Sequence, residues 1–138
     1  TPQMVRLARQ NAEKVDSSNV KFRLGEIEDM PFEEDHFDVI ISNCVINLSV
    51  DKPAVFGEAF RVLKPGGRLR VSDIVWTRDV PVAERGNIEE WAGCVAGALP
   101  LAEYTDAIRA AGLTDVSAEF EENERGLASA YVSAVKRG

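Results

Sequence analysis

The sequence has few of the side chains on which most catalytic sites depend. Its 138 residues include one histidine, His36, and two cysteines, Cys44 and Cys94. The histidine lies alone in the acidic segment EEDHF, so it has no convergent partner and is interpreted as a solvated loop residue. The two cysteines could form one disulfide, but free thiols in a reducing compartment are as natural an interpretation.

Long apolar runs and basic clusters are also absent. No apolar stretch approaches the ~18 residues that a membrane-spanning helix needs, which predicts no membrane span. The net charge of −7 and the lack of a basic stripe disfavour a nucleic-acid partner. No signal peptide is visible, although Thr1 is not an initiator residue and a leader could have been removed. We expect a cytoplasmic protein.

The composition that remains is that of an ordinary globular domain. Hydrophobic residues make up 45% of the chain and charged residues 28%, and the length allows a sizeable core. No internal repeat, low-complexity segment or linker is visible. We therefore expect residues 1–138 to form a single domain.

One strand–helix–strand segment organises the rest of the chain. The apolar run Phe37–Ser42 predicts a buried strand. Asp51 as N-cap and Pro53 in the first turn predict the start of a helix, which the Pro-Gly-Gly segment 65–67 stops. Residues 69–75 supply a second strand. Short connections between such elements indicate a βαβ unit and hence a parallel sheet.

The flanking elements follow from the same periodicities. Apolar residues at helical spacing predict three further helices, at residues 2–15, about 80–97 and 101–112. Three more strands are predicted at residues 20–24, 116–120 and 127–135, the last two as an antiparallel hairpin. Ligands of open α/β sheets gather at the carboxyl ends of the strands. That rule places residues 26–28, 43–44 and 72–73 along one rim, which predicts a cofactor cleft.

The order of residues in the central segment resembles the middle of a class I S-adenosylmethionine (SAM) methyltransferase. FDVIIS and the later VLKPGGRL are similar to its fourth strand, the following helix and its fifth strand. Within that superfamily, SNCVINL and WAGCVAGAL resemble the two cysteine segments of the arsenite methyltransferase family. The resemblance implies a Rossmann-like α/β fold with a parallel core and a C-terminal antiparallel hairpin, SAM as cofactor, and arsenite or its thiol conjugates as small-molecule substrate.

The same resemblance implies that Cys44 and Cys94 are both the catalytic residues and the ligands of As(III). Trivalent arsenic prefers sulfur ligands, and its lone pair can then attack the methyl group of a correctly oriented SAM. Such chemistry needs little acid–base catalysis, which agrees with the single histidine. The alternative is that each cysteine is a small buried hydrophobe, and Trp91 is interpreted as core rather than as a substrate wall.

The segment GEIEDMPF resembles the part of the family that contacts the adenine of SAM. A carboxylate can accept the exocyclic amine and a main-chain amide can satisfy a ring nitrogen. Glu26, Ile27 and Glu28 are thus candidate cofactor contacts, with Asn43 a fourth on the same rim. Which carboxylate meets the adenine is left open, and the alternative is a solvated acidic turn.

The 138 residues contain no match to the first two strands of the family, to its glycine-rich loop or to its ribose-binding acid. We therefore expect a sheet that lacks these strands, impaired SAM binding and methyl transfer, and an unpaired edge on the strand at 37–42. The strand at 20–24 could move beside that edge, or two chains could pair there as a homodimer.

Two other functions stay open. One is another small-molecule SAM methyltransferase of the ubiquinone/menaquinone type, a group that lacks the SNCVINL cysteine. The other is a non-catalytic fragment that oligomerises or binds a metalloid through its thiols.

Overall fold

The computed structural model describes residues 1–77, 97–122 and 126–137. In this part of the chain, three α-helices and one short 3-10 helix accompany four strands. They are α1 (Pro2–Lys14), β1 (Phe37–Asn43), the 3-10 helix Ile46–Leu48, α2 (Lys52–Val62), β2 (Leu63–Trp76), α3 (Leu101–Ala110), β3 (Thr114–Glu122) and β4 (Leu127–Val135). None of these described helices has the length and apolar content that crossing a bilayer requires.

The four strands form one mixed sheet in the order β1-β2-β4-β3. β1 and β2 are parallel, with Asn43 opposite Ser72, and α2 makes the crossover between them. β4 is antiparallel to both β2 and β3. The predicted parallel unit and the predicted C-terminal hairpin are thereby confirmed, and so is the expected unpaired edge, because β1 has no neighbour but β2 among the described strands. The prediction that this strand is buried is wrong, because no residue of β1 is buried and Val39 and Ile41 are exposed.

The core lies on one face of the sheet, which we call the inner face. Helices α2 and α3 cover it, since both present apolar residues at helical spacing. The buried residues at this interface are Val55, Phe56, Ala59, Leu69, Val71, Val75, Tyr104, Ile108, Ala130 and Val132. The opposite or outer face is open: Ile41 on β1 is 79% exposed and Tyr131 on β4 is 63% exposed.

Helix α2 begins as predicted but ends earlier. The Asp51 side chain caps it by accepting the Ala54 N–H, and its last residue is Val62 rather than a residue next to the Pro-Gly-Gly segment. The prediction that residues 65–67 form a turn ending the helix is wrong, because these residues belong to the irregular start of β2. They are held there because the Lys136 N–H donates to the Gly67 carbonyl (2.9 Å).

The predicted strand at residues 20–24 is not formed. A strand needs a neighbouring backbone, and this segment pairs with none in the described part of the chain. The segment instead contacts α1, because the Arg9 guanidinium of that helix donates to the Phe22 carbonyl (2.9 Å). It has therefore not moved beside β1.

Helix α1 confirms the prediction for residues 2–15 within one residue, but its apolar face is not buried. None of its residues is buried, and Met4 is 68% exposed. The predicted helix at about 80–97, with Trp91 and Cys94, lies outside the described residues.

Candidate functional site

Cys44 follows directly on β1, at the carboxyl end of the parallel pair. Its backbone N–H donates to the Ser72 carbonyl on β2 (2.7 Å), and the residue is half-buried. Its φ of 60° lies in the left-handed region, which costs a non-glycine residue about 1–2 kcal/mol. The thiol is therefore set at the end of the sheet by a backbone conformation that the surroundings must maintain.

The segment after Cys44 is fastened to β2 by a second link. Asn47, in the 3-10 helix, is buried, and its side-chain amide donates to the Ile74 carbonyl (2.6 Å). Ile46 belongs to the main core. Residues 44–49 are thus hydrogen-bonded to β2 at Ser72 and Ile74, and we call them the Cys44 segment.

A buried polar group lies beside this segment. The Tyr104 hydroxyl, from α3, donates to Asp73 Oδ2 on β2 (2.9 Å), and both side chains are buried. Burial raises the pKa of Asp73, whereas the Tyr104 hydroxyl, the backbone N–H groups of Asn47 and Ile74, and the charge of Lys52 oppose the rise. Burial also raises the pKa of Tyr104, with the charges of Asp73 and Cys44 adding to it, so the phenol stays protonated.

Lys52 is the first residue of α2, and its charge interacts with the Asp73 carboxylate. Its ammonium donates to the Ser49 carbonyl (3.2 Å) and is largely buried. Burial lowers the pKa of Lys52, and attraction to the Asp73 carboxylate opposes that change. A cation at the amino end of a helix is unfavourable to the helix dipole, so its carboxylate neighbour is the compensating charge.

The acidic segment 26–29 is a tight turn in which the Asp29 N–H donates to the Glu26 carbonyl (3.1 Å). The Glu28 carboxylate accepts a hydrogen bond from the Ser49 hydroxyl, which lowers the pKa of Glu28. Ile27 packs against the core, whereas Glu26 is exposed. The structure thus brings Glu28 onto the Cys44 segment and leaves the Glu26 carboxylate turned to solvent.

An ion pair on α2 holds the chain that follows this turn. The Glu58 carboxylate accepts the Met30 N–H (2.8 Å), and Arg61 donates to the carbonyls of Met30 (3.0 Å) and Phe32 (2.8 Å). Arg61 also pairs with Glu58, which lowers the pKa of Glu58. Sequence reasoning missed this support, although a Glu and an Arg three residues apart on a helix are the available signal.

Asn43 lies apart from the other predicted cofactor contacts. It ends β1 on the outer face and lines a cavity of about 740 Å³, together with Ile41, Arg70, Ser72 and Tyr131. Neither the acidic turn nor Cys44 lines that cavity. The rim is therefore assembled in two parts, one around the Cys44 segment and one on the outer face.

The described residues do not test whether the two thiols converge, because Cys94 lies outside them. Within those residues, no group of three or more His, Cys, Asp or Glu side chains is placed to hold a metal ion. Sequence reasoning placed Asp73 on the rim but missed its partner Tyr104, since their contact joins residues 31 positions apart.

Comparisons with known proteins agree with this geometry. A family model described as a methyltransferase domain matches residues 1–125. An arsenite methyltransferase of Halobacterium salinarum is 40% identical over an alignment that covers 97% of this chain and 37% of that protein. One of Aquipseudomonas alcaligenes is 43% identical over 76% of this chain and 31% of its own length.

A solved structure extends the similarity to the fold. The crystal structure of an arsenic(III) S-adenosylmethionine methyltransferase from Chlamydomonas reinhardtii superposes with a TM-score of 0.84 at 33% identity, covering all of this chain and 53% of that one. The chain spans about a third of the length of the two curated relatives. These similarities confirm the resemblance found in the sequence. The chain therefore belongs to the methyltransferase domain family, and the two curated relatives named above are arsenite methyltransferases.

Proposed function

We propose that this chain takes part in SAM-dependent methyl transfer to trivalent arsenic, with Cys44 and Cys94 as the arsenic ligands. One observation carries the proposal: Cys44 is held half-buried at the carboxyl end of β1, in the fold of the family whose members use SAM. The 40% identity to an arsenite methyltransferase over 97% of the chain supports arsenic as the substrate.

The two thiols are the groups that suit this substrate. Arsenite or a thiol conjugate exchanges its ligands for the Cys44 and Cys94 thiolates, because As(III) prefers sulfur to oxygen or nitrogen. The 138 residues contain two cysteines, so a third thiol ligand is not among them. Thiolate ligands need a reducing compartment, which supports a cytoplasmic location.

The residues of the acidic turn fit the cofactor in part. SAM, when bound, supplies an electrophilic methyl group on a sulfonium. Glu26 is the more accessible carboxylate for the adenine amine, since it is exposed, whereas Glu28 is half-buried and one of its oxygens accepts from Ser49. The amide of Ile27 is fixed by packing of its side chain on the core. Asn43 lies apart from this turn, on the outer face, so its contact with the cofactor stays a prediction from the sequence.

We also propose that SAM binding by this chain alone is weak. The glycine-rich loop and the ribose-binding acid of the family pattern have no match in the 138 residues. Calorimetric titration tests this directly: we expect affinity weaker than about micromolar, and tighter binding would contradict it.

The roles of the thiols are tested by Cys44→Ser and Cys94→Ser. We expect either substitution to abolish methylation of arsenite, because serine is a poor ligand for a soft centre. Val50→Ser is the matched control, since Val50 is fully exposed and directly follows the Cys44 segment. Survival of activity in both cysteine variants would instead favour a quinone-type or other small-molecule methyltransferase.

Counting arsenic per chain by mass spectrometry, with and without SAM, separates turnover from binding. Arsenic that stays bound and unmethylated in the presence of SAM would indicate a non-catalytic, metalloid-binding role.

We further propose that two chains associate through β1. The outer edge of β1 is unpaired among the described strands, and β1 carries the exposed apolar side chains of Val39 and Ile41. Edges of this kind recruit a further strand.

A further inference from the structure

The buried Asp73–Tyr104 pair has no role in the function proposed above. Asp73 is 3% exposed and Tyr104 is fully buried, yet the pair carries a carboxylate into the core. Asp73 Oδ2 accepts from Tyr104, whereas no described group completes a hydrogen bond to Oδ1, although the backbone N–H groups of Asn47 and Ile74 lie near the carboxylate. An apolar pair of the same volume would carry no such cost, which suggests that the polar pair has a task other than packing.

The pair lies between α3 and β2, next to the Cys44 segment. Tyr104 comes from α3 and Asp73 from β2, next to Ser72, whose carbonyl accepts the Cys44 N–H. The backbone N–H of Asn47, in the Cys44 segment, faces the Asp73 carboxylate. Lys52 is attracted to Asp73 and donates to the Ser49 carbonyl, at the far end of that segment.

Cys44 itself needs such support. Its left-handed backbone is unfavourable for a residue with a side chain, so the conformation persists only where neighbours impose it. The charge of an ionised Cys44 thiol adds to the rise in the pKa of Tyr104, so the two side chains lie within electrostatic range of each other.

We propose that Asp73 and Tyr104 are positioning residues for Cys44: the hydrogen bond between them fixes the Cys44 segment on the end of β2 and so directs the thiol. The inference rests on the proposed function in one respect, namely that the ligand of the Cys44 thiol is arsenic. Tyr104 acts through Asp73 and the segment, not by contact with the reacting atoms.

The test uses the full chain and three variants. Tyr104→Phe removes the hydroxyl and keeps the ring that packs edge-on against Phe56 (5.4 Å between centroids). Asp73→Asn removes the charge and keeps an oxygen that can accept from Tyr104. Tyr131→Phe is the matched control, because Tyr131 is exposed on the outer face.

Two measurements are made on each variant, together with its melting temperature. The first is the rate at which iodoacetamide alkylates Cys44 and Cys94, followed separately by peptide mass spectrometry. The second is the affinity for phenylarsine oxide.

We expect Tyr104→Phe to speed alkylation of Cys44 about tenfold and to weaken arsenical binding about tenfold, with Cys94 unchanged. Asp73→Asn should give a smaller change in the same direction, and Tyr131→Phe none. A Cys44 rate in Tyr104→Phe equal to that of the control would overturn the inference. So would equal acceleration at both cysteines with a matching fall in melting temperature, which would indicate general destabilisation.

If Tyr104→Phe does not fold, Asp73→Asn decides the matter by the same criteria. The two hypotheses fail separately: a chain that binds no arsenical refutes the proposed function, whereas the alkylation rates still report whether Cys44 is positioned by this pair.

Discussion

At the scale of single residues, backbone conformation decides which side chains the fold accepts. Cys44 occupies a left-handed conformation although it carries a Cβ, whereas Gly112 adopts φ of 107° at the end of α3, where glycine is expected. The glycine stop after α3 could be predicted from the sequence because it depends on neighbours in the chain. The strain at Cys44 could not, since contacts with β2 from 28 residues downstream maintain it.

Gly112→Ala should destabilise the protein. The added Cβ would lie 3.0 Å from the Phe60 ring, and alanine disfavours this φ, so we expect a loss of about 1–2 kcal/mol in the free energy of unfolding measured with urea. Gly57→Ala is the control, because Gly57 lies exposed in α2 and a methyl group added there would meet no atom within 4 Å. It should gain about 0.5–1 kcal/mol from helix propensity. A loss at Gly57 equal to that at Gly112 would contradict this reasoning.

At the scale of elements, local patterns identified helices better than they identified strands. The proline and cap residues at the start of α2 and the periodicity of α3 were sufficient, because a helix satisfies its own backbone. The segment at 20–24 alternates like a strand but pairs with no neighbour among the described residues. The α2 terminus was predicted too late, since pairing of Gly67 with Lys136 draws residues 63–67 into β2.

The ion pair on α2 should make stability depend on acid. The pKa of Glu58 is lowered in the folded state by hydrogen bonds from Arg61 and Met30, so its contribution to stability is present above the ordinary glutamate value and is lost as the pH falls through the lowered pKa. Glu58→Gln should therefore unfold at lower urea concentration than the parent near neutral pH, and the difference should shrink below about pH 4.

Glu119→Gln serves as a comparison for this titration, because Glu119 is an exposed glutamate on β3. A difference between Glu58→Gln and the parent that stays constant from neutral pH to strong acid would contradict the assignment.

At the scale of the whole molecule, one face of the sheet is covered and the other is open. The inner face could be predicted from the apolar periodicity of β2, α2 and α3. The sequence did not indicate that Asn43 lies on the outer face while Glu28 meets Ser49, because that division depends on how distant segments pack.

The open edge of β1 predicts association in solution. Light scattering should give a dimer, and the double substitution Val39→Lys/Ile41→Lys should give a monomer, because lysine on an edge strand opposes pairing. Val50→Lys adds a charge at an exposed position outside the strand and should remain dimeric. A monomeric parent would exclude association through this edge.

The central claim is that two thiols 50 positions apart hold one arsenic atom. Mass spectrometry of the proteolysed arsenite adduct tests it most directly, since a bridging arsenic joins the peptides that contain Cys44 and Cys94. We predict one arsenic per chain linking these two peptides, and no such link in Cys44→Ser or Cys94→Ser. Arsenic bound to each thiol independently, or none bound, would contradict the claim.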